Sequence, residues 1–236
     1  MIIDPSTLDA ASNYKLLIGS ILPRAIGWVS TRSRDGVPNL APISFFTAVG
    51  RKPPIVSITL QPRSDGVTLK DTFVNIRDTG EFVVNLVTLQ TAHAMHRSAF
   101  EFASDIDEFA AIGLEKEVSA AVAPPRVKDS PISLECKLER ILPMGDLGDH
   151  VVFGEVVRFN IRDDVYLQGG RIDTGALQAV GRLAAEYTLV QNAFALPLDE
   201  ALLAGFRGKR ADRLDTRPDG YSPIDSTEWS PSGATR

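Results

Sequence analysis

The apolar residues of the chain recur mainly with the two-residue period of a β-strand. ISLECKLERIL (132–142) alternates apolar and polar residues almost without interruption, which is typical of a half-buried antiparallel strand. HVVFGEVVRFNI (150–161) predicts another strand, in which Gly154 indicates a bulge or a close backbone approach. Shorter runs predict strands at IVSITL (55–60), EFVVNLV (81–87), VYLQ (165–168) and GRIDT (170–174).

A β-hairpin is predicted nearer the N-terminus. AIGWVST (25–31) and NLAPISFF (39–46) each have the composition of a strand. The connecting segment RSRDGVP (32–38) contains Asp35-Gly36, which is a strong turn signal between two strands.

One helix is predicted where the pattern changes period after residue 67. Leu69, Phe73 and Ile76 lie at helical spacing. Thr68 is the predicted N-cap residue, and Gly80 is the predicted end of the helix.

Two more helices are predicted, a longer one at TAHAMHRSAFEFAS (91–104) and a shorter one at DIDEFAAIGL (105–114). Strands dominate and helices do not alternate with them, so the predicted fold is mainly β with inserted helices. This pattern favours an antiparallel barrel over a parallel doubly wound sheet. The domain is predicted to span residues 1–198. Residues 199–236 lose the apolar period and are predicted to form an extended or disordered tail.

Composition narrows the possible functions. The chain has 236 residues, 44% of them hydrophobic and 23% charged, and a formal net charge of −5, which gives no overall electrostatic reason to bind nucleic acid or an anionic membrane. A single cysteine, Cys136, excludes an intrachain disulfide. No apolar run approaches the ~20 residues of a membrane span, and the first residues do not resemble a signal peptide. We therefore expect a cytoplasmic protein.

The common catalytic motifs are absent from the sequence, including G-x-S-x-G, the Walker A loop and the G-x-G-x-x-G fingerprint. His93 and His96 lie one helical turn apart, but no cysteine or evident carboxylate completes a metal site, so structural or surface roles are favoured and no metal is predicted. His150 follows a glycine-rich turn at the beginning of a strand, where either a ligand contact or a solvated side chain fits.

Residues 68–72 predict an anion site. A helix that begins here presents unpaired N–H groups and the positive end of its dipole, and Lys70 and Thr72 add a cation and a hydroxyl group. The alternative is that Thr68 only caps the helix while Lys70 is solvated.

The predicted hairpin carries an unusual mixture of side chains. Flavin mononucleotide (FMN) needs a phosphate site, polar partners for one edge of its ring and an apolar surface for the other. The hairpin offers hydroxyl and amide groups, a proline that interrupts the ladder, and flat aromatic groups. A hairpin with buried aromatic residues and polar groups that block its edge explains the same composition. The residues concerned are Trp28, Ser30, Thr31, Asn39, Pro42, Ser44, Phe45 and Phe46.

The ordered set of motifs resembles the flavin reductase family of FMN-binding split-barrel proteins. The resemblance runs from about Tyr14 to Val190. The segments that carry it are PRAIGWVSTRSRDGVPNLAPISFF, PPIVSITL, KDTFVNIRDTGEFVVNLV, DIDEFAAIGL, SPISLECKL, GDHVVFGEVV and VGRLAAEYTLV. One departure is Ala25, which stands where the first motif commonly has a second proline.

The resemblance implies a set of cofactor-binding residues. Beside the flavin it places Trp28, Ser30 and Thr31. Along the ring and the ribityl chain it places Asn39, Leu40, Ala41, Pro42 and Ser44. At the phosphate end it places Lys70, Asp71 and Thr72, and elsewhere near the site His150, Arg182 and Tyr187. His150 is the one candidate for a catalytic side chain.

The same resemblance implies a Greek-key split β-barrel that forms a homodimer, binds FMN and reduces flavin with NADH or NADPH. Hydride transfer between the two rings needs no nucleophilic side chain. A separate monooxygenase is an expected partner. Two alternatives remain: a flavoredoxin-like electron-transfer protein that keeps its FMN bound, and a non-enzymatic binding or assembly module.

Overall fold

The structure is a computed structural model, and it describes residues 1–190. The helices are α1 (Ala10–Ser20), α2 (Asp71–Thr79), α3 (Ala92–Arg97), α4 (Glu108–Ile112) and α5 (Thr174–Leu177). The strands are β1 (Arg24–Ala25), β2 (Gly27–Arg32), β3 (Pro38–Ile43), β4 (Phe46–Arg51), β5 (Pro54–Leu60), β6 (Glu81–Leu86), β7 (Lys116–Glu117), β8 (Arg126–Val127), β9 (Ile132–Met144), β10 (Asp149–Ile161), β11 (Tyr166–Leu167), β12 (Arg171–Ile172), β13 (Val180–Arg182) and β14 (Tyr187–Leu189).

The described chain divides into two compact units. The first consists of residues 1–162 and 179–189, and the second includes residues 163–178. No helix within residues 1–190 is both long and apolar enough to cross a membrane. The boundary predicted at residue 198 and the predicted tail lie outside the described residues.

Seven strands of the first unit form one antiparallel sheet in the order β3-β2-β6-β9-β10-β5-β4. The two edge strands, β3 and β4, follow each other in the chain with only Ser44 and Phe45 between them. A sheet whose opposite edges are joined by so short a connection must curl back on itself, which makes it a barrel with a split between those edges. The prediction of a mainly β fold with an antiparallel sheet and inserted helices is confirmed.

The predicted hairpin is present. β2 pairs with β3 from Gly27 opposite Ile43 to Arg32 opposite Pro38, and Gly36 in the turn has a φ of +88°. The prediction of one continuous strand over residues 39–46 was wrong, because the chain leaves β3 after Ile43 and changes edges of the sheet. Pro42 fits this edge strand, because a proline has no N–H group to donate and an edge strand has a neighbouring strand on one side only.

Two apolar clusters lie on opposite faces of β2. Trp28 and Val29 are consecutive and both fully buried, and successive side chains of a strand point to opposite faces. Val29 packs in one cluster with Phe73 and Ile76 of α2, while Trp28 packs in the other with Phe109 of α4. β2, which pairs with β3, is therefore fixed from both sides.

The helix after residue 67 begins later than predicted. Lys70 is its N-cap residue, without a side-chain capping bond. Thr68 instead donates its hydroxyl group to the carboxylate of Asp65, which also accepts the Thr68 N–H, because aspartate side chains compete for nearby N–H groups in turns. Gly80 has a φ of +74° and ends the helix as predicted.

The remaining helices agree in part with the predictions. The helix predicted at 91–104 is shorter, since α3 ends at Arg97. α4 begins after Asp107, whose side chain accepts the Ala110 N–H, and it ends at Gly113. α1 was not predicted; it has no buried residue, so no burial pattern marks it in the sequence.

The second unit is small in its described part. Its strands β11 and β12 pair antiparallel, with Tyr166 opposite Ile172, at the two positions predicted from VYLQ and GRIDT. Gly169 and Gly170 in their turn both have positive φ, a conformation that glycine adopts without strain.

Candidate functional site

A cavity of about 430 Å³ lies beside β3 and the beginning of α2, within the roughly 300–1,000 Å³ typical of small-molecule sites. The segment between α3 and α4 and the strands β13 and β14 complete its wall. Nine of the fourteen predicted cofactor-binding residues line it, although they come from distant parts of the chain. These nine are Asn39, Ala41, Pro42, Ser44, Lys70, Asp71, Thr72, Arg182 and Tyr187.

One end of the cavity favours an anion. α2 begins here, and the N–H groups of Asp71 and Thr72 donate to no acceptor within residues 1–190. Lys70 lines the same end and forms no ion pair with any described residue. The Asp71 carboxylate is paired with Arg63 at 2.5 Å. Free N–H groups, the helix dipole and an unpaired ammonium group together stabilise negative charge.

The wall formed by β3 joins this anion end directly. The amide group of Asn39 donates to Thr72 Oγ1 across 3.1 Å, and both residues are buried. Because Thr72 Oγ1 accepts this bond, its own hydroxyl proton remains available for a ligand. Ala41, Pro42 and Ser44 continue the wall along the strand.

Aromatic and cationic groups lie elsewhere on the cavity wall. Arg182 and Tyr187 are opposite each other in the β13–β14 pair, and the guanidinium group lies 4.7 Å from the centre of the Tyr187 ring. The Tyr187 hydroxyl group is 3.1 Å from His96 Nδ1. Phe100, which is 67% exposed, also lines the cavity. Flat rings of this kind suit the faces of a heteroaromatic ligand.

A family model described as a flavin reductase like domain matches residues 18–175. The chain belongs to the flavin reductase-like family. An uncharacterized protein from Aquifex aeolicus is 40% identical over 179 residues, which cover 76% of this chain and 90% of that relative.

Two solved structures resemble this member of the flavin reductase-like family closely. Nitrilotriacetate monooxygenase component B from Bacillus cereus aligns with a TM-score of 0.79 and 33% identity, covering 83% of this chain and 98% of the other. The 2-nitrobenzoate 2-nitroreductase NbaA of Pseudomonas fluorescens aligns with a TM-score of 0.76 and 30% identity, covering 84% and 96%. The predicted split-barrel fold is confirmed, and the comparisons support a flavin-related oxidoreductase.

Four predicted residues of the hairpin do not line the cavity. Trp28 donates from Nε1 to Ser98 Oγ at 2.8 Å inside the core, and Ser30 donates to the Pro125 carbonyl group. Thr31 accepts a bond from the Asn75 amide group. These three side chains are hydrogen-bonded within the protein, and Leu40 is fully buried. They would therefore affect ligand binding only by fixing the positions of β2 and β3.

His150 also lies outside the cavity lining. It stands opposite Leu60 in the β10–β5 pair, and its ring centre is 4.3 Å from that of Phe73. Its Nδ1 atom is buried without a hydrogen-bond partner among the described residues. A role for His150 at the cofactor stays a prediction.

Glu108, a buried carboxyl group on the cavity wall, was not predicted from the sequence. Its Oε2 atom accepts the Leu40 N–H. Burial raises the pKa of Glu108 to about 7; the Leu40 bond and Arg63 oppose this rise, and the charge of Asp71 adds to it. In the sequence, Glu108 follows an N-cap aspartate and has the ordinary position of an acidic residue in a first helical turn, so no local signal distinguishes it.

The two neighbouring histidines, His93 and His96, differ in their position relative to the cavity. His96 lines the cavity whereas His93 does not, and no group of three or more His, Cys, Asp or Glu side chains within residues 1–190 could hold a metal ion.

The residues present fit FMN. Its phosphate group matches the anion end formed by Lys70 and the beginning of α2, and its hydroxylated chain matches the amide and hydroxyl groups of Asn39 and Thr72. The apolar surface of Ala41 and Pro42 and the ring of Tyr187 match a flat ring system.

Proposed function

We propose that this protein binds FMN in the cavity beside β3 and uses NADH or NADPH to reduce flavin. The observation that carries the proposal is the Asn39–Thr72 hydrogen bond. It joins the predicted ring-binding strand to the predicted phosphate-binding helix terminus, so that both motifs serve one ligand.

The anion end would hold the phosphate group. Lys70 supplies the charge, the N–H groups of Asp71 and Thr72 supply directed donors, and the Thr72 hydroxyl group is oriented by the bond from Asn39. Arg63 keeps the Asp71 carboxylate neutralised, which limits its repulsion of the phosphate.

When bound, the flavin ring supplies the acceptor for a hydride from a reduced nicotinamide. The residues of this chain bind and orient the two ligands, and none acts as a nucleophile. Arg182 and Tyr187 on the cavity wall suit the charged and aromatic parts of the second ligand.

We further propose that reduced flavin serves a separate monooxygenase in the cytoplasm. The similarity to a monooxygenase component B supports this role. A flavin that remains bound and passes electrons to another protein is the competing function, in the manner of a flavoredoxin, and a binding module without activity is the third.

The proposed oligomer is a homodimer. α1 contains no buried residue, and Leu16, Leu17, Ile21 and Leu22 in and after it are 44–54% exposed. A second copy of the chain would remove this apolar surface from water. Light scattering after gel filtration measures the mass; a monomer would contradict the proposal.

The proposed activity is tested by an absorbance spectrum of the purified protein with added FMN, followed by anaerobic addition of NADH and then NADPH. Bleaching of the flavin bands identifies the donor. Steady-state oxidation of the donor with excess free FMN then separates a flavin reductase, which turns over, from an electron carrier, which does not. A protein that binds no FMN would contradict all flavin-dependent functions.

A further inference from the structure

The carboxyl group of Glu108 differs from the other carboxyl groups on the cavity wall. Glu108 is 5% exposed, whereas Glu101 is exposed and the Asp71 side chain is 19% exposed. One oxygen of Glu108 accepts the Leu40 N–H, and no described residue forms a hydrogen bond to the other. A carboxyl oxygen without a protein partner, carried by a buried residue on the wall of a cavity, is available to a ligand.

Glu108 has no cation of its own. The charges that act on it are Asp71, Arg63 and the neighbouring Asp107. Arg63 is bound to Asp71 and to a carbonyl group, and Asp107 is paired with Lys116. A carboxyl group that is buried in this way and has no ion-pair partner is stabilised in its neutral form.

Glu108 also lies at the anion end of the cavity. Leu40, to which it is bound, follows Asn39, and Asn39 is bound to Thr72 in the first turn of α2. Lys70 and Glu101 line the same cavity. An ionised Glu108 would therefore repel a phosphate group at this helix terminus, while a protonated Glu108 could donate a hydrogen bond towards it.

We propose that Glu108 takes up a proton when a phosphate monoester binds at the beginning of α2, so that FMN binding consumes a proton and riboflavin binding does not. The inference rests on the proposed function, because it assigns the binding of FMN to this cavity. Through Glu108, the preference of the site for FMN over riboflavin would then depend on pH.

The acid–base properties of the group allow this exchange near neutrality. Burial raises the pKa of Glu108 to about 7, so both protonation states are populated around pH 7.5. A nearby phosphate dianion would raise the pKa further, and its own second ionisation, with a pKa of about 6, is nearly complete at that pH.

Isothermal titration calorimetry at pH 7.5, in two buffers of different ionisation enthalpy, counts the protons taken up on binding. For the wild type we expect about half a proton per FMN and close to none per riboflavin. For Glu108→Gln we expect close to none with either ligand. Equal proton uptake by the wild type and Glu108→Gln on binding FMN would overturn the inference.

Glu101→Gln is the matched control. Glu101 lines the same cavity, and its hydrogen bonds from Ser64 lower its pKa, so it is ionised in both the free and the bound state. Glu101→Gln should retain the proton uptake of the wild type; loss of the uptake in this variant would overturn the assignment to Glu108.

A second measurement needs only the wild type. Between pH 6.5 and 8.5 the Kd for FMN should rise about fivefold or more relative to the Kd for riboflavin, since each unit of pKa shift corresponds to a tenfold change. A constant ratio overturns the inference and leaves the proposed function standing. Failure to bind either flavin overturns the proposed function and the inference with it.

Discussion

Arg63 Nη2 lies 2.5 Å from Asp71 Oδ2, so that a cation of the loop after β5 is bound to the first residue of α2. Both side chains are largely buried, with 18% and 19% of their surface exposed. Ser104 donates to the second carboxylate oxygen of Asp71. This pair neutralises the carboxylate that would otherwise oppose an anion at the helix terminus, and it leaves Lys70 as the unpaired charge.

Replacing Arg63 should therefore weaken FMN binding through its effect on Asp71. In Arg63→Ala the Asp71 carboxylate is left without its partner beside the phosphate, and we expect the Kd for FMN to rise about tenfold or more. The double variant Arg63→Ala/Asp71→Asn should recover part of this loss, as measured by quenching of flavin fluorescence.

The exposed pair of Arg77 and Asp78 on the same helix is the control; Arg77→Ala should bind FMN as the wild type does. Additive effects in the Arg63–Asp71 double-mutant cycle would show that the ion pair does not organise the site.

Lys70 should matter for the phosphate group specifically. Lys70→Ala is expected to raise the Kd for FMN about tenfold, and that for riboflavin much less, because an unpaired ammonium group at a helix N-terminus acts on the phosphate charge. Lys128→Ala is the matched control, since Lys128 is exposed and paired with Glu115. Equal FMN affinities of the two variants in a fluorescence titration would remove Lys70 from the site.

Sequence reasoning was most successful where the signal is local. The turn at Asp35-Gly36 and the end of α2 at Gly80 each depend on residues near in the chain. At Gly154 the glycine itself is the local signal, although the Phe82 ring that lies against it is distant in the chain. The motif residues of β3 and α2 could be assigned to one ligand only through a resemblance, although the structure brings Asn39 and Thr72 together.

The environments of Glu108 and Trp28 could not be predicted, because they depend on contacts between residues that are distant in the sequence. Glu108 acts on Leu40, 68 residues away, and the burial that perturbs it has no local pattern. Trp28 has the aromatic character of a ring-binding residue, yet its indole group is bound to Ser98 in the core. Thr68 is a different case: two local interactions compete there, and its hydroxyl group binds the nearby Asp65 and does not cap the helix.

The buried Glu108 should also make folding stability depend on pH. Its folded-state pKa of about 7 lies above the ordinary value of 4.5, so its contribution is fully present below pH 4.5 and is lost as the pH rises through 7. This difference between the two pKa values corresponds to a loss of roughly 3 kcal/mol of unfolding free energy at most. Urea unfolding should show Glu108→Gln gaining stability relative to the wild type between pH 5 and pH 8.5.

Glu101→Gln serves as the control for this measurement, because Glu101 remains ionised over that range. Its stability relative to the wild type should not change between the two pH values. If the stabilities of the wild type and Glu108→Gln change in parallel with pH, ionisation of Glu108 does not destabilise the folded protein, and the prediction is wrong.

Gly154 in β10 is a position where a single methyl group should be strongly destabilising. A Cβ atom there would lie 2.2 Å from Phe82 Cζ and 3.3 Å from Cys136 Cβ, and Phe82 is fully buried in the core of the barrel. The pairing of β9 and β10 shifts register at this residue, which brings the backbone of β10 close to the ring. Because neither β10 nor the ring can move without disturbing the sheet, we expect Gly154→Ala to lose about 2–3 kcal/mol of unfolding free energy.

Two variants distinguish this steric cause from a general effect of replacing glycine. Gly19→Ala in α1 meets no atom within 4 Å, and it should hold or slightly raise the melting temperature, since alanine is the better helix former. Phe82→Leu combined with Gly154→Ala should lose less stability than the sum of the two single changes, because the smaller side chain makes room for the methyl group. Thermal and urea unfolding compare each of these variants and the Phe82→Leu single variant with the wild type. Strict additivity of the two losses would show that the Cβ atom at 154 and the Phe82 ring do not compete for the same space.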